Sequence, residues 1–218
     1  SPNQEHDGLH IARAAQTLNP ETLKTELTDA GNPSLALESL ARMQGFDTSA
    51  SHTAYADAYN SLMILRIIKK KHKDNWERFL KTSTKASVET LLKREGIYSI
   101  FENVKGRNMM YLACTLHPNH CFHERYESWG YLWDCRRNPE PFFDLSVNQL
   151  RDTLKKFSPK ALRVLKTNKA PIVLDKKFAL KQKPYSDLEL STILKRAKMV
   201  RENEKFCRNI QTINREIA

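Results

Sequence analysis

The sequence predicts a helical N-terminal segment of the α/β class followed by an α+β part built on a small sheet. Three observations carry this. Apolar residues recur at helical spacing through residues 7–71, whereas β-branched and aromatic stretches dominate from residue 96 onward. Between them lies the run Lys69-Lys70-Lys71-His72-Lys73-Asp74, the best candidate for a domain boundary, which divides the chain at 1–72 and 73–218. Charge changes near the same place: residues 1–65 carry three Lys/Arg against eight Asp/Glu, and the remainder carries 33 against 17. A basic part with net charge +16 beside an acidic one with net charge −5 suggests separate tasks and a polyanionic partner for the basic part. Lysine also serves to solvate surface helices, so charge by itself does not establish nucleic-acid binding.

In chain order, Leu9, Ile11, Ala12, Ala15 and Leu18 predict a helix over 7–18, stopped by Asn19-Pro20. After the Asn32-Pro33 turn, Ser34 is expected to cap a second helix, LALESLARMQ, ending at Gly45. Ala54, Ala58, Leu62, Leu65 and Ile68 predict a long helix over 54–71 with its lysines at the C-terminal end, where they suit the helix dipole. Short helices are expected at 75–81 and 85–94. Residues 96–116 read as two strands joined by a turn at Lys105-Gly106-Arg107-Asn108, and 129–135 as a third strand. Ser146 caps a helix, VNQLRDTLKKF; strands return over 161–174, broken at Lys169-Ala170-Pro171. From Asp187 onward one or two basic amphipathic helices are expected.

No apolar run approaches the ~18–20 residues that cross a bilayer, so no membrane span is expected. The first ten residues lack a basic start followed by an apolar stretch, so no signal peptide is read there. Four cysteines in 218 residues are too few for a disulfide scaffold. A reduced, cytoplasmic protein is the expectation.

The most informative stretch for chemistry is Ser51-His52-Thr53-Ala54-Tyr55-Ala56-Asp57. It sets a His just before a helix and an Asp in the first turn, five positions later. The carboxylate can hold a divalent metal, and a neutral imidazole beside it can take a proton from a water attacking phosphorus. A bare H-x₄-D pattern is common in ordinary loops and helix starts, so its context decides. For nucleic-acid binding, cations interleaved with aromatics are the pattern sought: Arg107, Tyr111, Tyr126, Trp129, Trp133, Arg136 and Arg137 have that character, although a sheet also needs rings for its own core. A second constellation, Cys114, His117, His120, Cys121, His123 and Cys135, falls within 22 residues. It shows no clean pair-plus-pair zinc spacing, so these side chains read as packing and loop residues.

The context of the H-x₄-D pattern is a resemblance. LALESLARMQGFDTSASHTAYADAYNSLMILRIIKK is similar to the third motif and following helix of the DEDDh 3′–5′ exonucleases, and more closely to the bacterial exodeoxyribonuclease I family. Asp7, Arg13, Leu18, Pro20 and Asn32-Pro33-Ser34 sit at the family's spacing upstream. His117-Pro118, Asn168-Lys169-Ala170-Pro171 and Arg201-Glu202-Asn203 follow in its order downstream. The resemblance implies that 1–72 is the C-terminal part of a ribonuclease-H-like exonuclease domain and 73–218 an SH3-like domain with connecting C-terminal helices. It implies removal of 5′-mononucleotides from the 3′ end of single-stranded DNA, in DNA repair, with two Mg²⁺ ions. His52 would be the general base and Asp57 a metal ligand.

The family's site also needs a D-x-E on the first strand and a second-motif Asp. The one D-x-E here, Asp187-Leu188-Glu189, lies in a basic helical region and is rejected. The expectation is therefore a fragment of a longer enzyme that is inactive by itself; the alternative is a non-catalytic module that binds single-stranded DNA and single-strand-binding protein. By resemblance, Arg13 and Arg201 face DNA, with Arg107, Tyr111 and Lys169 as further contacts, while Ala36 replaces a DNA-facing arginine. Lys181 and Leu194 stand where the family receives the C-terminal tail of single-strand-binding protein, with Asn19 and Arg78 at two altered positions. The resemblance implies no zinc in this domain. A monomer is expected.

Overall fold

The computed structural model describes residues 8–49, 53–82, 84–104 and 106–215. The chain divides into two units, residues 1–81 with 101–110, and residues 82–100 with 111–218.

In the first unit, apolar periodicity becomes helices α1 (Gly8–Leu18), α2 (Leu37–Met43), α3 (Ala54–Lys71) and α4 (Lys73–Leu80). The long helix α3 is the hub. Its Ile64 and Ile68 are buried in a core that also contains Ile11, Ala12, Ala15, Leu40 and Ala41, and α1, α2 and α4 all pack against it. The α1–α2 connection is held by a side chain rather than by a ladder. Buried Gln16 donates to the Pro20 and Leu23 carbonyls and accepts from the Leu23 N–H at 3.1 Å. Helix α2 starts later than Ser34: the Ser34 N–H bonds the Glu26 carbonyl in a short bridge, which keeps the chain extended, and Ala36 becomes the N-cap. Arg42 then clamps the Glu26 carboxylate at 2.8 and 3.0 Å.

Between α3 and α4 sits His72, only 8% exposed. Its Nε2 lies 2.7 Å from Thr22 Oγ1, whose own proton goes to the Asn19 carbonyl, so the imidazole N–H donates to the threonine. The ring also packs against Phe79.

The second unit contains α5 (Lys85–Lys93), α6 (Val147–Lys155), α7 (Leu190–Glu202) and α8 (Glu204–Arg215). The chain's five-stranded sheet has the order β4-β3-β2-β1-β5, from β1 (Ile97–Val104), β2 (Arg107–Thr115), β3 (Trp129–Asp134), β4 (Leu162–Lys166) and β5 (Val173–Asp175); residues 101–110, the hairpin end of β1 and β2, belong to the first unit. The β1–β5, β2–β3 and β3–β4 pairs are antiparallel. Gly106 turns the β1–β2 hairpin at φ 81°, a left-handed conformation that glycine adopts without steric cost. Trp133 centres the core, edge-on to Phe142 and Phe206 at 5.1 and 5.4 Å. Gly130 lets α5 approach β3 closely, because a Cβ there would collide with the Leu92 side chain. The C-terminal region forms two helices rather than one, since Asn203 leaves helical geometry and its side chain caps the Phe206 N–H at 2.9 Å. Among the described residues no helix is long and apolar enough to cross a membrane.

At the end of β3, Asp134 is fully buried and saturated with donors. Its carboxylate accepts from Arg136 Nε at 3.1 Å, Arg163 Nη2 at 3.3 Å and the Tyr185 hydroxyl at 2.9 Å. Burial, reinforced by the neighbouring carboxylate, pushes the Tyr185 phenol above its ordinary value. Arg196 of α7 adds bonds to the Cys135 and Arg136 carbonyls at 3.0 and 2.9 Å.

Two outcomes follow from this packing. Asp134→Ala leaves two guanidinium groups and a phenol without their shared acceptor, so urea unfolding should show a loss of about 3–5 kcal/mol, as for other broken buried ion pairs. Burial, with Lys71 adding to it, holds His72 below the ordinary imidazole value of 6.5. Protonation is then penalised more in the folded state than in the unfolded one. Stability should fall as pH drops below about 6.5, and His72→Gln should flatten unfolding free energy measured across this window.

Candidate functional site

The exonuclease-like motif lies at the start of α3. Thr53 caps the helix, its Oγ1 accepting from the Ala56 N–H at 3.2 Å, and Asp57 occupies the first turn, half-exposed. An acid there is favoured by the helix dipole. His52 and Asp7 lie outside the described residues. Among the described residues, no group of three ligating side chains includes Asp57. The described part of this site therefore does not complete a donor set for two Mg²⁺ ions.

The cations and rings separate by role. Arg13 is half-buried on α1, and Arg107 is exposed at the start of β2. Ala36 lines an apolar cavity of about 440 Å³ with Leu9, Leu40, Ile64 and Leu65, a poor setting for phosphate. In the second unit Lys169 is exposed at the end of a short 3-10 turn. Tyr111, by contrast, is 2% exposed, with the Arg163 guanidinium 4.4 Å above its ring. A ring so enclosed cannot stack on a base, which corrects its expected role.

Arg201, half-buried, has several partners within the fold. Its Nη1 donates to the Arg94 and Leu116 carbonyls and to Thr115 Oγ1, and its Nη2 to the Lys93 carbonyl, at 2.9–3.1 Å. These are the last carbonyls of α5 and the end of β2. The guanidinium is thus committed to joining α5, β2 and α7.

The β3–β4 register assembles a different surface. Trp129 pairs opposite Lys166, whose ammonium lies 5.1 Å from the indole centroid. Tyr126, 43% exposed, lies against the same indole at 4.7 Å and 31°. Buried His123 fixes the turn beneath, its Nδ1 accepting from the Arg125 and Tyr126 N–H groups at 2.9 and 3.1 Å. Thr167 bonds the Ser128 carbonyl at 2.7 Å, so the Lys166–Lys169 segment is anchored beside Trp129. Lys166 escaped the sequence reading; the signal was the alternation along β4, which sends Val164 and Lys166 outward. Trp133 is fully buried, Arg136 serves Asp134, and Arg137 covers the Phe157 ring at 4.8 Å.

Lys181 is exposed, and Leu194, 47% exposed, lines a cavity of about 180 Å³ with Lys176, Ala197 and Arg201. Asn19 and Arg78 belong to the first unit. All four cysteines are buried with free thiols. Burial pushes Cys121 up to about 11 and Cys207 to about 12, so these thiols stay protonated at neutral pH.

No family model matches the chain. Exodeoxyribonuclease I of Haemophilus influenzae is 26% identical over 188 residues, 82% of this chain and 40% of that protein. The crystal structure of Escherichia coli exonuclease I in complex with a dA16 oligonucleotide superposes with a TM-score of 0.71 at 19% identity, covering 95% of this chain and 46% of that one. An ExoI/SSB-Ct complex gives 0.70 at 20% identity over the same shares. The chain spans less than half the length of these relatives. By sequence over most of its length, and by fold over nearly all of it, this chain is related to part of bacterial exodeoxyribonuclease I.

Proposed function

We propose that the chain serves a 3′–5′ exodeoxyribonuclease acting on single-stranded DNA, in DNA repair, and contributes to it one catalytic motif and a DNA-tracking surface. On this reading residues 1–72 are the end of a ribonuclease-H-like exonuclease domain. Residues 73–218 are an SH3-like domain with its connecting helices. The sheet order supports the second assignment: a four-strand meander whose fifth strand returns beside the first is the connectivity of a small SH3-like barrel. His52 would take the proton from the attacking water, and Asp57 would be one ligand among the carboxylates that hold Mg²⁺. The ion would supply charge stabilisation when bound.

The observation that carries the DNA reading is the patch of Tyr126, Trp129, Lys166 and Lys169. Rings stack on bases without regard to sequence, and adjacent cations neutralise phosphate. It lies in the basic part of a chain whose sequence relative is a DNA exonuclease. The C-terminal tail of single-strand-binding protein is the proposed protein partner. Lys181 would meet its carboxylates and Leu194 its apolar end; a structural neighbour is an ExoI/SSB-Ct complex. One alternative, favoured by the net charge of +16 on the basic part, is a non-catalytic module for the same DNA and protein.

Each phosphate neutralised should lower log K by about 0.7 per tenfold rise in salt, so Lys166 and Lys169 together give a slope of about −1.4. Arg13 and Arg107 each add about −0.7 if they form separate contacts. Tyr126→Ala should weaken binding by about 1–3 kcal/mol while leaving that slope in place. A slope near zero, measured by anisotropy of a labelled oligothymidylate, would reject the DNA-tracking surface. With Mg²⁺ the chain should bind without releasing mononucleotides. Release at the rate of a full-length relative would show that the donor set is complete after all.

Arg201→Ala gives a different outcome. It removes charge-assisted bonds to four acceptors, so unfolding should show a loss of about 1.5–3 kcal/mol, with the salt slope of DNA binding unchanged.

A further inference from the structure

We infer that His117, His120 and Glu204 form a binding site for one borderline divalent transition ion, Zn²⁺ in the first instance. This site is distinct from the Asp57 motif. The turn His117-Pro118-Asn119-His120 is 3-10 over Pro118–His120, and this geometry brings positions three apart onto one side. The two imidazole centroids lie 5.8 Å apart with their planes 34° from parallel. Glu204 is the first residue of α8, and one ligand atom from each of the three side chains falls within 4.8 Å of the others.

The orientation of His120 is set from outside the cluster. Gln211 Nε2 donates to the Phe122 carbonyl at 2.9 Å, which fixes its amide so that Oε1 meets His120 Nδ1, also at 2.9 Å. An amide oxygen only accepts, so Nδ1 carries the proton. His120 Nε2 then faces Glu204 Oε1, 3.2 Å away. A proton or a metal ion shared between the two atoms would hold this contact. Two ligands on a tetrahedral Zn²⁺, each about 2.0–2.1 Å from the metal, lie about 3.3 Å apart. The His120–Glu204 spacing matches, and the His117 ligand atom lies within 4.8 Å of both. A histidine ligand whose other ring nitrogen donates to a fixed acceptor is also the usual outer-shell arrangement of metal sites.

The remaining neighbours limit the ligand set to these three. His117 Nδ1 accepts the Asn119 N–H at 3.3 Å, a long bond that a metal can displace. Glu204 also meets Arg208 Nη2 at 3.3 Å, an exposed pair. The nearby thiols are occupied: Cys207 donates to the Val200 carbonyl and accepts the His117 N–H, and Cys121 donates to the Pro118 carbonyl. Two imidazoles and one carboxylate leave a fourth position for water, and this donor set selects Zn²⁺, Co²⁺ or Ni²⁺ over Mg²⁺. Bound metal would tie the turn before β3 to the start of α8.

The test is titration of the chelator-stripped full chain with Zn²⁺ against a chromophoric competitor, in excess Mg²⁺. One ion per chain is expected, with affinity lowered roughly tenfold or more by Glu204→Gln and by Gln211→Leu, which leaves every ligand in place. Circular dichroism of each variant checks folding, and the exposed Glu204→Gln change keeps the test valid if a histidine variant fails to fold. Zn²⁺ binding that is indifferent to both substitutions would overturn the assignment by placing the ion on other histidines. Absence of binding would overturn it too, leaving His120 and Glu204 as a plain hydrogen-bonded pair.

Discussion

The second unit depends on one buried negative charge. Asp134 is the acceptor at which β3, β4, the Arg136 turn and the segment carrying Tyr185 meet. Burying a carboxylate costs several kcal/mol unless donors replace its water, and here two guanidinium groups and a phenol do so. The consequence reaches the other end of the same strand pair. Once β3 and β4 are locked in register at Asp134, Trp129 must face Lys166, and the exposed patch beside Tyr126 follows from that register.

A second committed cation shapes the unit in the same way. Arg201 closes the C-terminal end of α5, where unpaired carbonyls would otherwise seek water, and fastens α7 to the end of β2. Charge in this chain therefore does two jobs. Arg136, Arg163, Arg196 and Arg201 hydrogen-bond within the fold, whereas Lys166 and Lys169 are exposed. Net charge alone could not have separated these groups.

The sequence made the helices and strands legible because their periods are local. The spacing of Ile11, Ala15, Leu65 and Ile68 predicted α1 and α3, and the aromatic, β-branched stretches predicted β1 to β3. Pairings across long separations were not legible. Ser34 looked like a helix cap, but a backbone bond to Glu26 took its N–H and moved the helix start. Tyr111 looked like a DNA contact because residue type and motif order say nothing about burial, and the bonds of Arg201 to carbonyls 85 to 108 positions away were equally invisible. Glu204 stood outside the Cys/His cluster in sequence, 84 residues from His120, yet it lies against that ring in space. The start of α3 was readable as a motif from His52 to Asp57, although only the Asp57 side lies within the described residues.

In the proposed function the patch of Tyr126, Trp129, Lys166 and Lys169 is the surface that meets single-stranded DNA. Ultraviolet crosslinking of the chain to an oligothymidylate carrying 5-bromouracil, followed by mass spectrometry of the peptides, tests this most directly. Crosslinks concentrated on Tyr126 and Trp129 are predicted, because a stacked base is held in contact with these rings. Crosslinks that fall elsewhere and leave residues 123–131 unmodified would contradict it.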